Sequence, residues 1–118
     1  MSNPRRSNGH RRDQQRARWR ALGRPCYICG RPIDYTLKAP APWSFVIDET
    51  VPLKHGGSMT WDNQGPAHWW CNRIKSTHNI TWARTKVAEL ITAGKVPHST
   101  RDTETTHIIS SDWFGPGE

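Results

Sequence analysis

The sequence predicts a small α+β fold, in which two short strands lead into a helix and further helices flank this unit. A β-prone segment at residues 44–48 alternates apolar side chains, which is typical of a strand. A later segment repeats apolar residues at helical spacing. The core must be thin, because only 34% of the 118 residues are hydrophobic and the mean hydropathy is −0.83. A domain of this kind usually needs a disulfide or a metal for stability.

The first expected element is a short basic helix over residues 13–22. Gly23 and Pro25 follow this segment and would end the helix. Trp19 and Leu22 are its large apolar residues near the end, so we expect both side chains to face inward.

The middle of the chain predicts a strand, a loop, a second strand and a helix, in that order. The first strand covers residues 44–48, and a Gly-Gly pair marks a turn within the loop at residues 54–62. A second strand at residues 63–66 would then lead into a helix at residues 67–76.

A further helix is expected to be capped by Thr81 and ended by Gly94. Its apolar residues share one face and predict a contact with the core; they are Ala83, Val87, Leu90 and Ile91. Most of the tryptophans, including Trp61 and Trp82, are expected to fill the core in place of aliphatic residues. Stacking on nucleic-acid bases is the alternative use of these rings.

Composition divides the chain into three parts. Residues 1–14 are polar and rich in arginine, and they are expected to form a flexible basic arm. Residues 15–95 would form the folded domain, with the metal site and the C-terminal helix. Residues 96–118 would form a polar tail that docks on the domain through Trp113 and Phe114.

The sequence gives no support for a membrane role. Its apolar stretches fall far short of the roughly 18 to 20 residues needed to span a bilayer. The three cysteines cannot all pair in disulfides, and no apolar leader segment opens the chain. We therefore expect a cytoplasmic protein whose thiols are reduced.

Positive charge is concentrated near the start of the chain. The net charge is +7, and eight arginines lie between Arg5 and Arg24. Such a cluster is typical of a segment that binds phosphates, although an arginine cluster taken alone is more often a solvated surface. We expect Arg16, Arg18 and Arg20 to contact double-stranded DNA.

Four residues have the spacing of a zinc site. Two residues separate Cys26 from Cys29, and the same spacing separates His68 from Cys71. Four protein ligands would close the coordination shell, so the zinc would be structural and would stabilise the fold. The alternative is a redox Cys-x-x-Cys motif with an unrelated cysteine and histidine, but no thioredoxin-like pattern surrounds this pair.

A second motif lies between the two halves of the zinc site. The sequence from Asp48 reads Asp-Glu-Thr-Val-Pro-Leu-Lys-His-Gly-Gly, with Asn63 and Asn72 downstream. This stretch resembles the HNH endonuclease family, whose pattern is D-H-x-x-P-[LV]-x-x-G-G, then N, then a zinc pair followed by H or N. The resemblance covers about residues 26–76, and its D-E-x-x-P and A-H-x-x-C-N forms are found among phage HNH proteins.

The resemblance implies a ββα-metal fold (HNH, or His-Me finger) with a structural zinc knuckle and flanking helices. It also implies that Asp48 and Asn72 bind a catalytic Mg²⁺ or Mn²⁺, ions that prefer oxygen ligands. Asn63 would brace the loop through hydrogen bonds to its backbone. The implied reaction is the metal-dependent hydrolysis of DNA phosphodiester bonds.

Glu49 stands at the position where the family has its base histidine. Its carboxylate could act as the general base or could bind the metal, and both roles stay open. His55 is expected to contact phosphate, with a displaced general base as the alternative. Arg73 and Lys75, on the helix of the metal site, are further candidates for phosphate contact.

The sequence therefore favours a DNA endonuclease. By resemblance, such a protein would work beside a phage terminase in the cytoplasm of a host. The missing base histidine motivates an alternative, a zinc-stabilised DNA-binding module with weak or no catalysis. A zinc adaptor for a protein partner is a third interpretation, and it predicts no salt-sensitive affinity for DNA.

Overall fold

A computed structural model describes residues 4–97 of the chain, and these residues form a small α+β fold. The predicted fold class is confirmed at this level. The elements, in chain order, are helix α1 (Pro4–Leu22), strand β1 (Phe45–Glu49), strand β2 (Gln64–His68), helix α2 (Trp69–Lys75) and helix α3 (Ile80–Thr92). The expected docking of Trp113 and Phe114 lies outside the described residues.

Strands β1 and β2 form a two-stranded antiparallel sheet. Phe45 pairs with His68 at one end, and Glu49 pairs with Gln64 at the other. Strand β2 begins and ends later than the sequence predicted, and all five of its residues are buried. The hairpin continues into α2, where the backbone N–H of Trp69 donates to the carbonyl of Ser44 over 2.8 Å. The sheet thus holds the start of α2 beside the start of β1.

Helix α1 is longer than expected, because it begins at Pro4 and not near residue 13. Proline suits the first turn of a helix, where its missing N–H leaves no bond unmade. The helix ends at Leu22, and Gly23 follows it with a φ of 62°, a left-handed conformation that glycine adopts without strain. Trp19 is buried as expected, but Leu22 is 45% exposed, so its predicted inward orientation is wrong.

Helices α2 and α3 pack together and form the main core with the Cys26 turn. The predicted apolar face of α3 is confirmed for Ala83, Val87 and Leu90, which are buried. Asn79, and not Thr81, caps α3, since its side chain accepts a hydrogen bond of 2.8 Å from the backbone N–H of Trp82. The side chain of a capping residue accepts from a backbone N–H two or three residues further on. The helix begins at Ile80, two residues earlier than a Thr81 cap would require.

The tryptophans divide between the core and the surface. Trp70 is fully buried in the main core. Trp61 is partly buried and stacks on Trp19, with 4.0 Å between the ring centroids. Trp82 is 39% exposed and packs against the ring of His78 in a tilted arrangement, so its predicted core position is wrong. The reason is helical phase, because Ala83 takes the inward position next to it. Within the described residues, no helix is long and apolar enough to cross a membrane.

Candidate metal centre and carboxylate site

One tight turn and the junction between β2 and α2 bring four ligand side chains together. Cys26 and Cys29 lie in a turn in which the backbone N–H of Gly30 donates to the Cys26 carbonyl over 2.8 Å. His68 ends β2, and Cys71 lies in the first turn of α2. We call these four side chains the Cys₃His cluster. Their ligand atoms all lie within 4.8 Å of one another.

The spacing within the cluster fits a tetrahedral zinc ion. The Nδ1 atom of His68 lies 3.3 Å from the sulfur of Cys29 and 3.9 Å from that of Cys71. Zinc bonds of about 2.0 to 2.3 Å place tetrahedral ligand atoms about 3.5 Å apart or slightly more. The cluster can therefore hold a zinc ion, and its four protein ligands would leave no open position for substrate.

The surroundings of the cluster orient its ligands. Backbone N–H groups of Cys29 and His68 point at the Cys26 sulfur, at 3.4 and 3.5 Å. The Nε2 atom of His68 lies 3.1 Å from the carbonyl of Pro32, which fits an N–H donor at Nε2 and leaves Nδ1 free to bind metal. Trp43 packs edge-on against the imidazole, with 4.8 Å between the ring centroids.

The thiol pKa values also indicate a cation site. Hydrogen bonds from Cys29 and Cys71 hold the pKa of Cys26 far below its ordinary value, whereas burial raises the pKa of Cys71 far above it. Three thiols this close, two of them buried, cannot all ionise while the site lacks a compensating positive charge. A zinc ion supplies that charge, so binding of the metal and ionisation of the thiols would occur together.

A second polar cluster lies at the other end of the hairpin. Asp48 is buried, with 5% of its side chain exposed, and its Oδ2 accepts a hydrogen bond from the hydroxyl of Tyr27. The ring of Tyr27 lies directly on Gly65, the residue that pairs with Asp48 across the sheet, where any side chain would overlap the ring. Burial and the bond to Asp48 raise the pKa of Tyr27, so its hydroxyl stays a donor.

Lys75 completes this second cluster. Its amino group lies 3.4 Å from Oδ2 of Asp48 and donates to the carbonyl of Glu49 over 3.0 Å. Because the Lys75 side chain is fully buried, it cannot reach a phosphate at the surface, and the prediction of a phosphate contact is wrong for this residue. Lys75 lies near the end of the short helix α2, and its side chain points towards the hairpin and not towards the solvent.

The pKa of Asp48 is raised despite its two partners. Burial raises its pKa above the ordinary value, and the Tyr27 hydrogen bond and Lys75 only partly oppose that effect. An additional cation beside Asp48 would therefore stabilise its ionised form. Both contacts fall on Oδ2, and among the described residues no hydrogen bond to Oδ1 is found.

Glu49, next along β1, is held by helix α1. The Nη2 atom of Arg12 donates to its Oε2 over 2.8 Å, and both side chains are more than four-fifths buried. The other terminal nitrogen of Arg12, Nη1, is buried without a hydrogen-bond partner among the described residues. The Arg12–Glu49 pair therefore links helix α1 to the residue that stands at the general-base position of the HNH pattern.

The loop between the strands is tied by one side chain. The amide nitrogen of Asn63 donates to the carbonyls of Val51 and Ser58, over 3.0 and 2.8 Å. Its amide oxygen accepts from the backbone N–H of Val51 over 3.0 Å. These three hydrogen bonds from one side chain hold the chain that leaves β1 against the chain that enters β2. The end of β1 is therefore fixed in position.

The remaining predicted site residues lie on helix α2, in the loop and on helix α1. Asn72 is half-buried on α2, one position after the zinc ligand Cys71, and His55 is exposed in the loop. Arg73 is exposed, and its guanidinium lies 5.0 Å from the centroid of the Trp69 ring. Three basic residues of α1 are also exposed: Arg16, Arg18 and Arg20. Within residues 4–97, the Cys₃His cluster is the one group of three or more Cys, His or acidic side chains arranged for a metal.

Two residues of this site were not predicted, Tyr27 and Arg12. In the sequence, Tyr27 lies between two of the predicted zinc ligands, and Arg12 lies in the segment expected to form a flexible arm. Both contact β1 from segments 21 and 37 residues away in sequence. A local pattern carries no signal for such contacts, because the partner residues are distant in sequence.

Comparison with protein-family models, with curated proteins and with solved structures gives no match for this chain. Its function is therefore inferred from its own residues and their geometry.

Proposed function

We propose that this chain is a metal-dependent DNA endonuclease of the HNH type, built on a structural zinc. The observation that carries the proposal is the buried carboxylate of Asp48, which lies at the end of a hairpin and contacts helix α2 through Lys75. Burial keeps its pKa raised although Lys75 lies 3.4 Å away. The order of strand, loop, strand and helix is the order of a ββα-metal site. The matching sequence from Asp48 to Asn72 supports the same assignment.

The donor set suits a hard divalent ion. Asp48 offers the oxygen that no described residue binds, and Asn72 would supply a second from α2. Two protein oxygens are few for calcium but usual for Mg²⁺, which keeps several of its waters. A bound Mg²⁺ or Mn²⁺ would neutralise charge on the phosphate as it is attacked. Asp48 and Asn72 would hold that ion, and Tyr27 and Lys75 would keep the Asp48 side chain in one orientation.

Glu49 is proposed as the general base. It follows Asp48 directly, and its Oε2 is held by Arg12, so its position is fixed before any substrate arrives. Its carboxylate would take the proton from the attacking water, and the loop tied by Asn63 would keep the end of β1 in place. The other role, in which Glu49 binds the metal, predicts a larger effect of its removal on metal affinity than on turnover.

A plasmid assay with a matched pair of variants tests the proposal. Zinc-loaded protein with Mg²⁺ or Mn²⁺ should convert supercoiled plasmid to open or linear forms, and omission of the second metal should stop the conversion. Glu49→Gln keeps an acceptor for Arg12 but loses basicity, so turnover should fall by about 100-fold or more. Glu89→Gln, on the exposed side of α3, makes the same chemical change and should leave turnover unaltered.

The outcomes separate the roles. Equal turnover in wild type and Glu49→Gln would remove Glu49 as the base while leaving the nuclease in place. Absence of cleavage by the wild type with every divalent ion of a panel that includes Mn²⁺, Mg²⁺, Co²⁺ and Ni²⁺ would overturn the endonuclease proposal itself.

A zinc-stabilised DNA-binding module is the second candidate. One observation favours it: each carboxylate of the site is already paired with a cation, Asp48 with Lys75 and Glu49 with Arg12. Such pairing would leave less negative charge to attract a catalytic ion. This candidate predicts salt-sensitive DNA binding in the plasmid experiment and no cleavage. Work beside a phage terminase is a further proposal, which depends on the family resemblance.

A further inference from the structure

A groove of about 640 Å³ lies between helix α1 and strand β1. Arg12, Arg16 and Arg20 line it from the helix, and Lys38 lines it from the loop before β1. Asp13 is its one acidic lining residue, and it forms a solvent-exposed ion pair with Arg16 at 3.3 Å. An exposed ion pair of this kind contributes little energy. Because four basic residues and one acidic residue line the groove, it has an excess of positive charge.

The arginines of the groove form a regular row. Positions 12, 16 and 20 are four residues apart, which places them on one face of α1 with a rise of about 6 Å between neighbours. This rise is of the order of the separation between successive phosphates along one nucleic-acid backbone. A row of cations at this spacing fits a polymer of phosphates better than a single small anion.

The floor of the groove is apolar. Phe45 and Ile47 of β1 line it, and the guanidinium of Arg20 lies 5.8 Å from the centroid of the Phe45 ring. Phosphates facing the arginine row would leave the sugars of the strand beside this apolar floor. A free phosphate or a short acidic peptide would use only the cations.

The groove leads to the carboxylate site. Arg12 lines the groove and also donates to Glu49, so the end of the arginine row lies beside the proposed base. Arg18 lies elsewhere, because its guanidinium sits 3.8 Å from the centroid of the Trp61 ring and it does not line the groove. The arginines of α1 therefore differ in their surroundings, although they look alike in sequence.

We propose that this groove binds the phosphate backbone of one DNA strand and guides it to Glu49, an inference that rests on the proposed nuclease function. Arg16, Arg20 and Lys38 contact successive phosphates, and Arg12 positions the strand where it meets the carboxylates. Arg18 contributes to the packing of α1 and not to the strand contact. The groove thus supplies sequence-independent affinity.

Two charge-matched triple variants test the groove. The groove variant is Arg16→Gln, Arg20→Gln and Lys38→Gln, and the control is Arg11→Gln, Arg24→Gln and Lys95→Gln. All six residues are exposed, and those of the control do not line the groove. Both variants remove the same charge from the net +7. Binding to a labelled duplex is measured by fluorescence anisotropy without Mg²⁺ or Mn²⁺, between about 50 and 200 mM salt.

The groove variant should lose at least 10-fold in affinity. The slope of log K against log salt should become shallower by about 2 to 3, since each lost phosphate contact removes about 0.9. The control should change the slope by less than about 1. Equal changes in the two variants would overturn the proposal, as would displacement of the duplex by a mononucleotide or by polyglutamate at matched charge concentration.

A measurement on the wild-type chain guards against a folding defect in the variants. Addition of the duplex should shift the side-chain NMR signals of Arg16 and Arg20 and leave those of Arg11 and Arg24 in place. Signals that all shift alike would contradict the groove. The nuclease proposal and the groove proposal can fail separately. If the wild type does not cleave DNA but the salt slope falls only in the groove variant, the nuclease proposal is overturned and the groove proposal stands. If the wild type cleaves DNA but the salt slope falls equally in both variants, only the groove proposal is overturned.

Discussion

Asp48 and Lys75 form an ion pair from which water is largely excluded, with 5% and 0% of the two side chains exposed. In such surroundings a charge without its partner is far less stable than it would be in water. The pair also joins two elements, since Asp48 lies on β1 and Lys75 lies at the end of α2. It therefore holds the proposed metal ligand against the helix.

Replacement of one partner should show this dependence. Lys75→Met keeps much of the side-chain volume but leaves Asp48 without its cation, and the free energy of unfolding should fall by about 3 to 5 kcal/mol. Lys95→Met, at an exposed position, should change it by no more than about 0.5 kcal/mol. Urea denaturation of the zinc-loaded proteins gives both values. Similar small losses in the two variants would mean that the pair contributes little.

At the scale of single residues, the sequence predicted which side chains could bind zinc, but it did not predict which polar side chains are buried. Spacing alone identified the four members of the Cys₃His cluster, because a tetrahedral site requires closely spaced pairs. It did not reveal that Lys75 is buried, since a lysine near the end of a short helix is usually solvated. Burial of Lys75 depends on the hairpin packed against it, which no local pattern contains.

Among the elements, the loop between β1 and β2 has the strictest local requirements. Gly56 has a φ of 91°, a left-handed conformation, and ends a single turn of 3₁₀ helix at Leu53–His55. Gly57 has a different constraint, because a β-carbon there would overlap the backbone carbonyl of Val51 and lie 2.8 Å from the side-chain nitrogen of Asn63. The loop can approach Asn63 this closely only without a side chain at position 57.

Gly57→Ala should therefore displace the loop from Asn63. We expect a loss of about 1 to 3 kcal/mol in the free energy of unfolding, together with reduced plasmid cleavage, because the end of β1 would move. Gly9→Ala is the control, since nothing lies within 4 Å of a β-carbon at this position of α1. This change should be neutral or stabilise the helix by about 0.5 to 1 kcal/mol. A harmless Gly57→Ala would contradict the strict fit of the loop.

The elements themselves were largely predictable, because their signals are local. Alternation predicted β1, and the spacing of Ala83, Val87 and Leu90 predicted the buried face of α3. The length of α1 was not predictable, because its polar sequence has no apolar stripe. Its docking depends on distant polar contacts, such as the bond of 3.0 Å from the Trp19 indole to the side chain of Gln64, 45 residues away.

At the scale of the whole molecule, the Cys₃His cluster ties together the segments that meet in the main core. It joins the turn at residues 26–29 to the end of β2 and the start of α2. Helix α3 supports the same turn, where the Nε of Arg84 donates to the carbonyl of Tyr27 over 2.9 Å. Since the hydrophobic fraction is only 34%, the metal is expected to supply much of the folding free energy.

The most direct test of this account is the zinc content of the purified chain together with its unfolding. Native mass spectrometry should show one zinc per chain, and removal of the zinc by a chelator should abolish cooperative unfolding. His68→Gln removes a ligand and should lower zinc affinity by more than about 100-fold, whereas His78→Gln, exposed beside Trp82, should not. A metal-free chain that unfolds as cooperatively as the zinc-loaded one, or equal zinc affinity in the two histidine variants, would contradict the account.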